Sequence, residues 1–352
     1  MKIAIDAMGG DYAPMEIVKG VEIARDRYPD IEFLLFGTSE QVKPLVKDWS
    51  HITLIPTTEV IEMGDEPVKA MRRKKDSSMV RAANAVKAGD ADALFSAGNT
   101  GALLSSAIFL IGRIKGVDRP ALATALPSFA GENDQFVFMD LGANAESKAS
   151  HLYQYGILGS FYASHVLGIN DARVRLLNNG AEEDKGDEVH KIAHQLMKNS
   201  QSFNFLGNVE ARELLEGTAD VVVADGFSGN AALKATEGTA LMMLKQIKQA
   251  IMQTGLRGKM GGLLLKPAFK DIQKKLDYNE AGGAVILGVN APVVKTHGSA
   301  KANAVANTMG QIKKMIEKNL VPDIRTYIAD HKDELQAAKN ELQSQISEQV
   351  MV

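Results

Sequence analysis

Short apolar runs that stop abruptly at polar, glycine-rich turns recur along this 352-residue chain. They are "KIAID" at 2–6, "IEFLLFG" at 31–37, "DALFSAG" at 92–98, "QFVFMDLG" at 135–142, "RVRLLNNG" at 173–180, "NFLGN" at 204–208, "VVVADG" at 221–226 and "GAVILG" at 283–288. Unbroken apolar runs of this length fit strands buried on both faces, as in a parallel sheet. Helical patterns separate them, at 14–28 with Pro14 in the first turn, then at 66–88, 99–112, 145–168, 187–198, 228–254 and 299–318. Strand–helix alternation specifies the α/β class. Right-handed crossovers then place helices on both faces, giving a three-layer α/β/α sandwich with a mostly parallel sheet.

The way the runs end is the second constraint. "ADALFSAGNTGA" at 91–102 aligns without a gap on "ADVVVADGFSGN" at 219–230. Ala91 matches Ala219, Asp92 matches Asp220, Gly98 matches Gly226, Thr100 matches Ser228 and Gly101 matches Gly229. Three further runs end alike, at Asp6 before "AMGGD", at Asp140 before "LGANAE", and at Asn178–Asn179–Gly180 before "AEEDKG". In a parallel sheet these ends are expected on one edge, where ligands bind. Glycines let a ligand approach the backbone, and the following helix offers free N–H groups and the positive end of its dipole. One such loop is ordinary helix capping. Five, two of them near-copies, point to a phosphate-type anion site. Gly98, Asn99, Thr100 and Gly101 form one expected wall, and Gly226, Ser228, Gly229 and Asn230 the other.

Several function classes fall away. The chain has no Cys, which removes disulfides, thiolate metal sites and Cys nucleophiles. A net charge of -3 argues against general nucleic-acid binding. "MKIAID" has no apolar signal-peptide core and no run is long enough for a membrane span, so the expected location is the cytoplasm. No G-x-G-x-x-G follows the first strand, and P-loop, H-E-x-x-H and G-x-S-x-G motifs are absent. "GFSGN" is one residue short of a nucleophile elbow, so Ser228 reads as a cap or ligand contact. His190 and His194 are four apart on a helix but lack a third ligand, so no metal is expected.

"IDAMGGDYAP", "SAGNTGA", "MDLGANAE", "NNGAEEDKG", "ADGFSGN" and "KTHGSA", in this order, resemble the bacterial phosphate acyltransferase family of phospholipid synthesis. The resemblance covers roughly residues 1–320. It implies transfer of a long-chain fatty acyl group from acyl carrier protein to inorganic phosphate, giving acyl phosphate for the acylation of glycerol 3-phosphate. It further implies the fold of the isocitrate and isopropylmalate dehydrogenases and phosphate acetyltransferases, a homodimer, and no cofactor. Residues 1–320 are then one catalytic domain of two intimately packed subdomains, with a protruding helix-loop-helix around 240–280. Residues 321–352 form a helical tail of unassigned role, with a thin stripe of Leu335, Ala338, Leu342 and Ile346. The chemistry agrees with the loops. Phosphate is already an oxyanion, so it needs positioning and a stabilised tetrahedral intermediate more than activation. Asn144 and Asn179 are candidate donors to phosphate or to the thioester oxygen, Lys185, Lys295 and His297 candidate counter-charges, and Asp225 a candidate proton acceptor or Lys-orienting group.

Two surfaces stand outside that site. Arg72, Arg73, Lys74 and Lys75 are consecutive, either a solvated face or a dock for the acidic carrier. "GLRGKMGGLLLKPAFK" at 255–270 presents Leu256, Leu263, Leu264, Leu265 and Phe269 among basic residues and no acid. It reads as a loop packed on a neighbouring subunit or as a membrane-touching tip before an amphipathic helix near 267–277. The family is that of a peripheral membrane enzyme, which favours the tip and association with the inner face of the cell membrane. The alternative activity is a phosphate acetyltransferase-like enzyme using coenzyme A thioesters. A metal-dependent decarboxylating dehydrogenase would need an Arg cluster that is not found, and a non-catalytic scaffold would not need polar strand-end loops.

Overall fold

The computed structural model describes residues 1–276 and 282–336. In chain order its strands are β1 (Lys2–Asp6), β2 (Glu32–Gly37), β3 (Ile52–Pro56), β4 (Ala93–Ser96), β5 (Ala121–Pro127), β6 (Gln135–Met139), β7 (Arg173–Asn178), β8 (Asn204–Glu210), β9 (Val221–Val223), β10 (Ala284–Leu287) and β11 (Val293–Lys295). They join in one sheet, ordered β3-β2-β1-β4-β11-β10-β5-β6-β9-β7-β8. The helices are α1 (Met15–Arg27), α2 (Ser39–Val42), α3 (Pro67–Arg73), α4 (Ser78–Ala88), α5 (Thr100–Ser106), α6 (Ala149–Tyr162), α7 (Glu188–Lys198), α8 (Gly226–Gln253), α9 (Gly255–Leu276), α10 (Ala302–Glu317) and α11 (Leu320–Asp330).

The apolar runs are buried on both faces, as their composition requires. On β1, Ile3 and Ile5 join the core beneath α1, α6 and α10, whereas Ala4 faces α3, α4 and α5. Three layers result, the α/β architecture expected. The C-terminal segment continues this packing, since Leu320, Val321, Ile324, Ile328 and Leu335 are buried in the larger core cluster. Ala338, Leu342 and Ile346 lie outside the described residues.

The sheet is mixed at its centre, and this alters the site. β11 runs parallel to β4, but β10 is antiparallel to β11, β5 to β10, and β6 to β5. β9, β7 and β8 then follow β6 in parallel. Three reversals make the two halves of the sheet point in opposite directions. The expectation that all five polar strand ends share one edge is therefore corrected. Asp6 and Ser96 end strands at one edge, while Asp140, Asn178 and Asp225 follow strands at the other. The near-copy loops at 98–101 and 226–230 consequently emerge from opposite ends of a very short central ladder.

Other departures have local causes. The helix expected over 66–88 is two helices, because "KKDSS" carries start and stop chemistry. Ser77 is extended at the N-cap of α4, its hydroxyl donates to Lys74 O at 2.7 Å, and Asp76 is tied to Thr58 and Arg81. The segment expected as a loop at 255–266 is helical, part of one continuous α9 with Pro267 inside it. Position 277 lies outside the described residues. Gly258 and Gly262 let α9 lie close against α8, since a Cβ on either would come within 2.9 Å of Ile251 atoms. Strands β3, β5 and β11 carry patterns the apolar-run criterion passes over. β5 is "ALATALP", too rich in Ala to announce a strand, and β11 is three residues long.

Candidate functional site

A cavity of about 320 Å³ opens where the two halves meet. Leu122 and Thr124 of β5 form part of its lining, together with Thr100 at the start of α5, Gly142 after β6, Asn230 and Lys234 of α8, and Lys295, Thr296 and His297 closing β11. Among the described residues no carboxylate lines it. The two near-copy loops meet here from opposite sheet edges, so an anion would be enclosed between the halves rather than perched on one rim.

Each wall is held by a buried aspartate. The Asp6 carboxylate accepts hydrogen bonds from Ser78 Oγ at 2.5 Å and Ser96 Oγ at 2.7 Å, and Ser96 Oγ accepts from Gly98 N at 2.9 Å. Asp140 accepts from Leu122 N, Ala143 N, Asn144 N and Asn144 Nδ2 at 2.9–3.0 Å. Burial pushes both carboxyls above the ordinary carboxylate range, against the opposing pull of these hydrogen bonds. Asp225 is the N-cap of α8, accepting from Phe227 N and Ser228 N, and His190 Nε2 lies 3.6 Å from its other oxygen. Gly226 and Gly229 are required at this turn. A Cβ on either would fall 2.2 Å from Asn144 O or 2.1 Å from Asp140 O, so only glycine lets α8 start against the 140–144 loop.

Lys295 is the central charge. It is only 9% exposed, its Nζ donates to Thr296 O at 2.7 Å, and its pKa is lowered to about 8, first by burial and then by the like charge of Lys234. Beside it the Thr296 hydroxyl is buried with no partner among the described residues. A buried ammonium and an orphaned hydroxyl both gain from an anionic oxygen in the cavity. His297 is exposed, with Nδ1 at 2.8 Å from Ser299 Oγ.

The remaining expected residues divide by what holds them. Asn99 is 7% exposed and its amide is engaged at both ends. Its oxygen caps α5 through Ala102 N, and its nitrogen donates to the carbonyls of Glu62, Met63 and Asp65. Asn144 Nδ2 is likewise committed, to Pro120 O, Asp140 and Tyr155. Gly98 and Gly101 shape their loop without lining the cavity, and a Cβ on Gly101 would meet Pro67 of α3 at 2.5 Å. Ser228 contributes its backbone N–H to the Asp225 cap. Asn179 and Lys185 are exposed on the β7–α7 loop, next to β9 but outside the cavity lining. Lys234, Thr124 and Thr296 were not anticipated. Lys234 alone had a legible signal, one helical turn beyond Asn230.

Arg72, Arg73 and Lys75 are exposed at the end of α3. Lys74 is spent on Asp65 at 2.6 Å and Val60 O at 2.8 Å. On the hairpin, Leu256, Leu263 and Leu264 are 71–81% exposed, Leu265 is 50% exposed and Phe269 is half-buried. The groove between α8 and α9 encloses about 690 Å³ and is lined by Lys245, Lys248, Lys259 and Lys266 among apolar side chains. No helix of the described residues is long and apolar enough to cross a membrane. Among the described residues no group of three or more His, Cys, Asp or Glu is placed to hold a metal.

Comparison with known proteins shows the family and the fold. Residues 1–322 match the family described as fatty acid synthesis protein. A phosphate acyltransferase from Leuconostoc citreum is 83% identical over 347 residues, covering 99% of this chain and 100% of its own. One from Oenococcus oeni is 61% identical, covering 94% of this chain and 96% of its own. Among solved structures, a phosphotransacetylase from Streptococcus pyogenes superposes with a TM-score of 0.58 at 17% identity, over 92% of this chain and 94% of its own. The EutD phosphotransacetylase from Staphylococcus aureus does so with a TM-score of 0.55 at 19% identity, over 89% and 93%. These two share the fold, whereas the sequence matches span nearly the whole chain: it belongs to the fatty acid synthesis protein family, among the phosphate acyltransferases.

Proposed function

We propose that the chain transfers a long-chain fatty acyl group from acyl carrier protein to inorganic phosphate, supplying acyl phosphate for phospholipid synthesis. The observation that carries this is the cleft, lined by no carboxylate among the described residues, that holds a buried Lys295 and an orphaned Thr296 hydroxyl. Phosphate oxygen attacks the thioester carbonyl, a C–O bond forms, and the C–S bond breaks as the thiolate leaves. Hydroxyl and ammonium donors on the cleft walls stabilise the charge of the tetrahedral intermediate. Lys295, with a pKa of about 8, is matched to a departing thiolate and can return its proton. Asp6, Asp140 and Asp225 hold the walls, with Asn99 and Asn144 as loop braces rather than direct ligands.

The same reading extends to partners. Arg72, Arg73 and Lys75 dock the acidic carrier from α3, whose Pro67 packs on the Gly101 wall of the cleft. The exposed leucines of α9 touch the membrane surface, where the product is used, and the protein works as a homodimer. The test is phosphate-dependent loss of a long-chain acyl-carrier-protein thioester, with hydroxylamine trapping of the product. Loss that requires phosphate and yields acyl hydroxamate is expected. Turnover of acyl-coenzyme A with none of the carrier thioester would replace the donor, and no turnover of either would refute the reading.

A further inference from the structure

Lys234 reaches the cleft from α8, on the half of the sheet opposite to Lys295, and both side chains line the same cavity. Lys234 Nζ is 2.8 Å from Glu237 Oε2, one turn along the same helix, with the lysine side chain 54% exposed. An ion pair this exposed contributes at most about 1 kcal/mol, so Lys234 is readily drawn away. Among the described residues lining the cavity there is no carboxylate, so Lys295 faces it with no opposite charge in the lining, and Lys234 has only Glu237 beside it on its own helix. Among the described residues the Thr296 hydroxyl beside them has no partner. Two like charges converging on one small cavity are favourable only when a multiply charged anion sits between them.

We infer that Lys234 and Lys295 form a two-sided clamp that selects a doubly charged tetrahedral anion, with Lys234 leaving Glu237 for the ligand on binding. The clamp deepens the phosphate-acceptor reading and rests on it for the identity of the anion. Lys234 is thereby a binding residue in its own right, and Glu237 its resting partner and competitor. Because each ammonium comes from a different half of the sheet, anion binding also draws the two halves together.

The experiment is calorimetric titration of the full-length protein with inorganic phosphate, without any acyl donor. Lys234→Met is expected to weaken phosphate binding by about tenfold or more, the loss of a charged hydrogen bond. Lys234→Arg should retain most of the affinity. Glu237→Gln, which frees Lys234, should tighten binding by roughly two- to fivefold. In kinetics the KM for phosphate rises in Lys234→Met while that for the acyl donor stays within about twofold. Sulfate should outcompete nitrate in the parent protein, and Lys234→Met should lose most of that preference. Lys314→Met, which removes an exposed charge outside the cleft, is the control. The clamp is overturned if the parent does not bind phosphate, if Lys234→Met binds like the parent or no worse than Lys314→Met, or if Glu237→Gln weakens binding. Phosphate binding without thioester turnover would instead count against the acyltransferase reading and leave the clamp standing.

Discussion

At the scale of single residues, the buried Lys295 ammonium is an electrostatic cost to the fold. Its pKa is lowered to about 8 in the fold, against 10.5 for an ordinary lysine. The unfolded chain therefore holds more protons between these values, and stability rises with pH across that window. Below about pH 8 the buried ammonium is charged and its full cost applies. Lys295→Met should accordingly raise the unfolding free energy near pH 7 without phosphate, by about 1–3 kcal/mol, read as a higher Tm. The same variant should lose most of its phosphate-dependent turnover. In the parent, turnover limited by the charged form should decline as pH rises through 8, because deprotonation removes both the anion's counter-charge and the proton for the leaving thiolate. A lower Tm for Lys295→Met, or unchanged turnover, would show that the ammonium is not an electrostatic cost retained for the reaction.

At the scale of elements, α1 and α10 pack tightly against each other. Gly20 packs there, and a Cβ on it would lie 2.5 Å from Val305 Cβ and 2.7 Å from Ala302 O. Gly20→Val should overpack this seam and cost about 1–3 kcal/mol or more in chemical denaturation, with the cleft chemistry intact in the folded fraction. The elements also show what the sequence made legible. Apolar runs such as Ile3–Ile5 and Val221–Val223 announce buried strands, and Ser, Asn and Asp beside glycine announce helix starts. Strand direction is not written in any run, because the reversals at β10, β5 and β6 arise from connections and not from local composition. That is why the loops were expected on one edge, although Thr100 and Asn230, expected on opposite walls, both line the cavity. An asparagine that braces and one that binds are also alike in sequence. Only the three carbonyls around Asn99 Nδ2 distinguish them.

At the scale of the whole molecule, two exposed surfaces are the ones proposed to meet large partners. Reversing charge at Arg72 and Arg73 should raise the KM for the carrier thioester several-fold and flatten its salt dependence, while a short acyl thioester without the carrier is unaffected. An equal effect on both donors would remove the docking role of α3. Leu263→Glu with Leu265→Glu should abolish co-flotation with anionic liposomes, since each buried leucine contributes roughly 1.5–3 kcal/mol. Undiminished flotation would assign those leucines to another contact.

The order of the strands also bears on how the chain is made. β4 is flanked by β1 and by β11, and the apolar face of α1, with Ile17, Val18 and Val21, is covered by α10. Both coverings come from beyond residue 290, so the amino-terminal half emerges from the ribosome with one sheet edge and one helix face unclosed. At bacterial translation rates of about 5–20 residues per second, that exposure lasts on the order of 10–40 seconds. The nascent chain is therefore exposed to chaperones until β11 and α10 arrive, and the lining of the cleft is complete only once His297 has been synthesised.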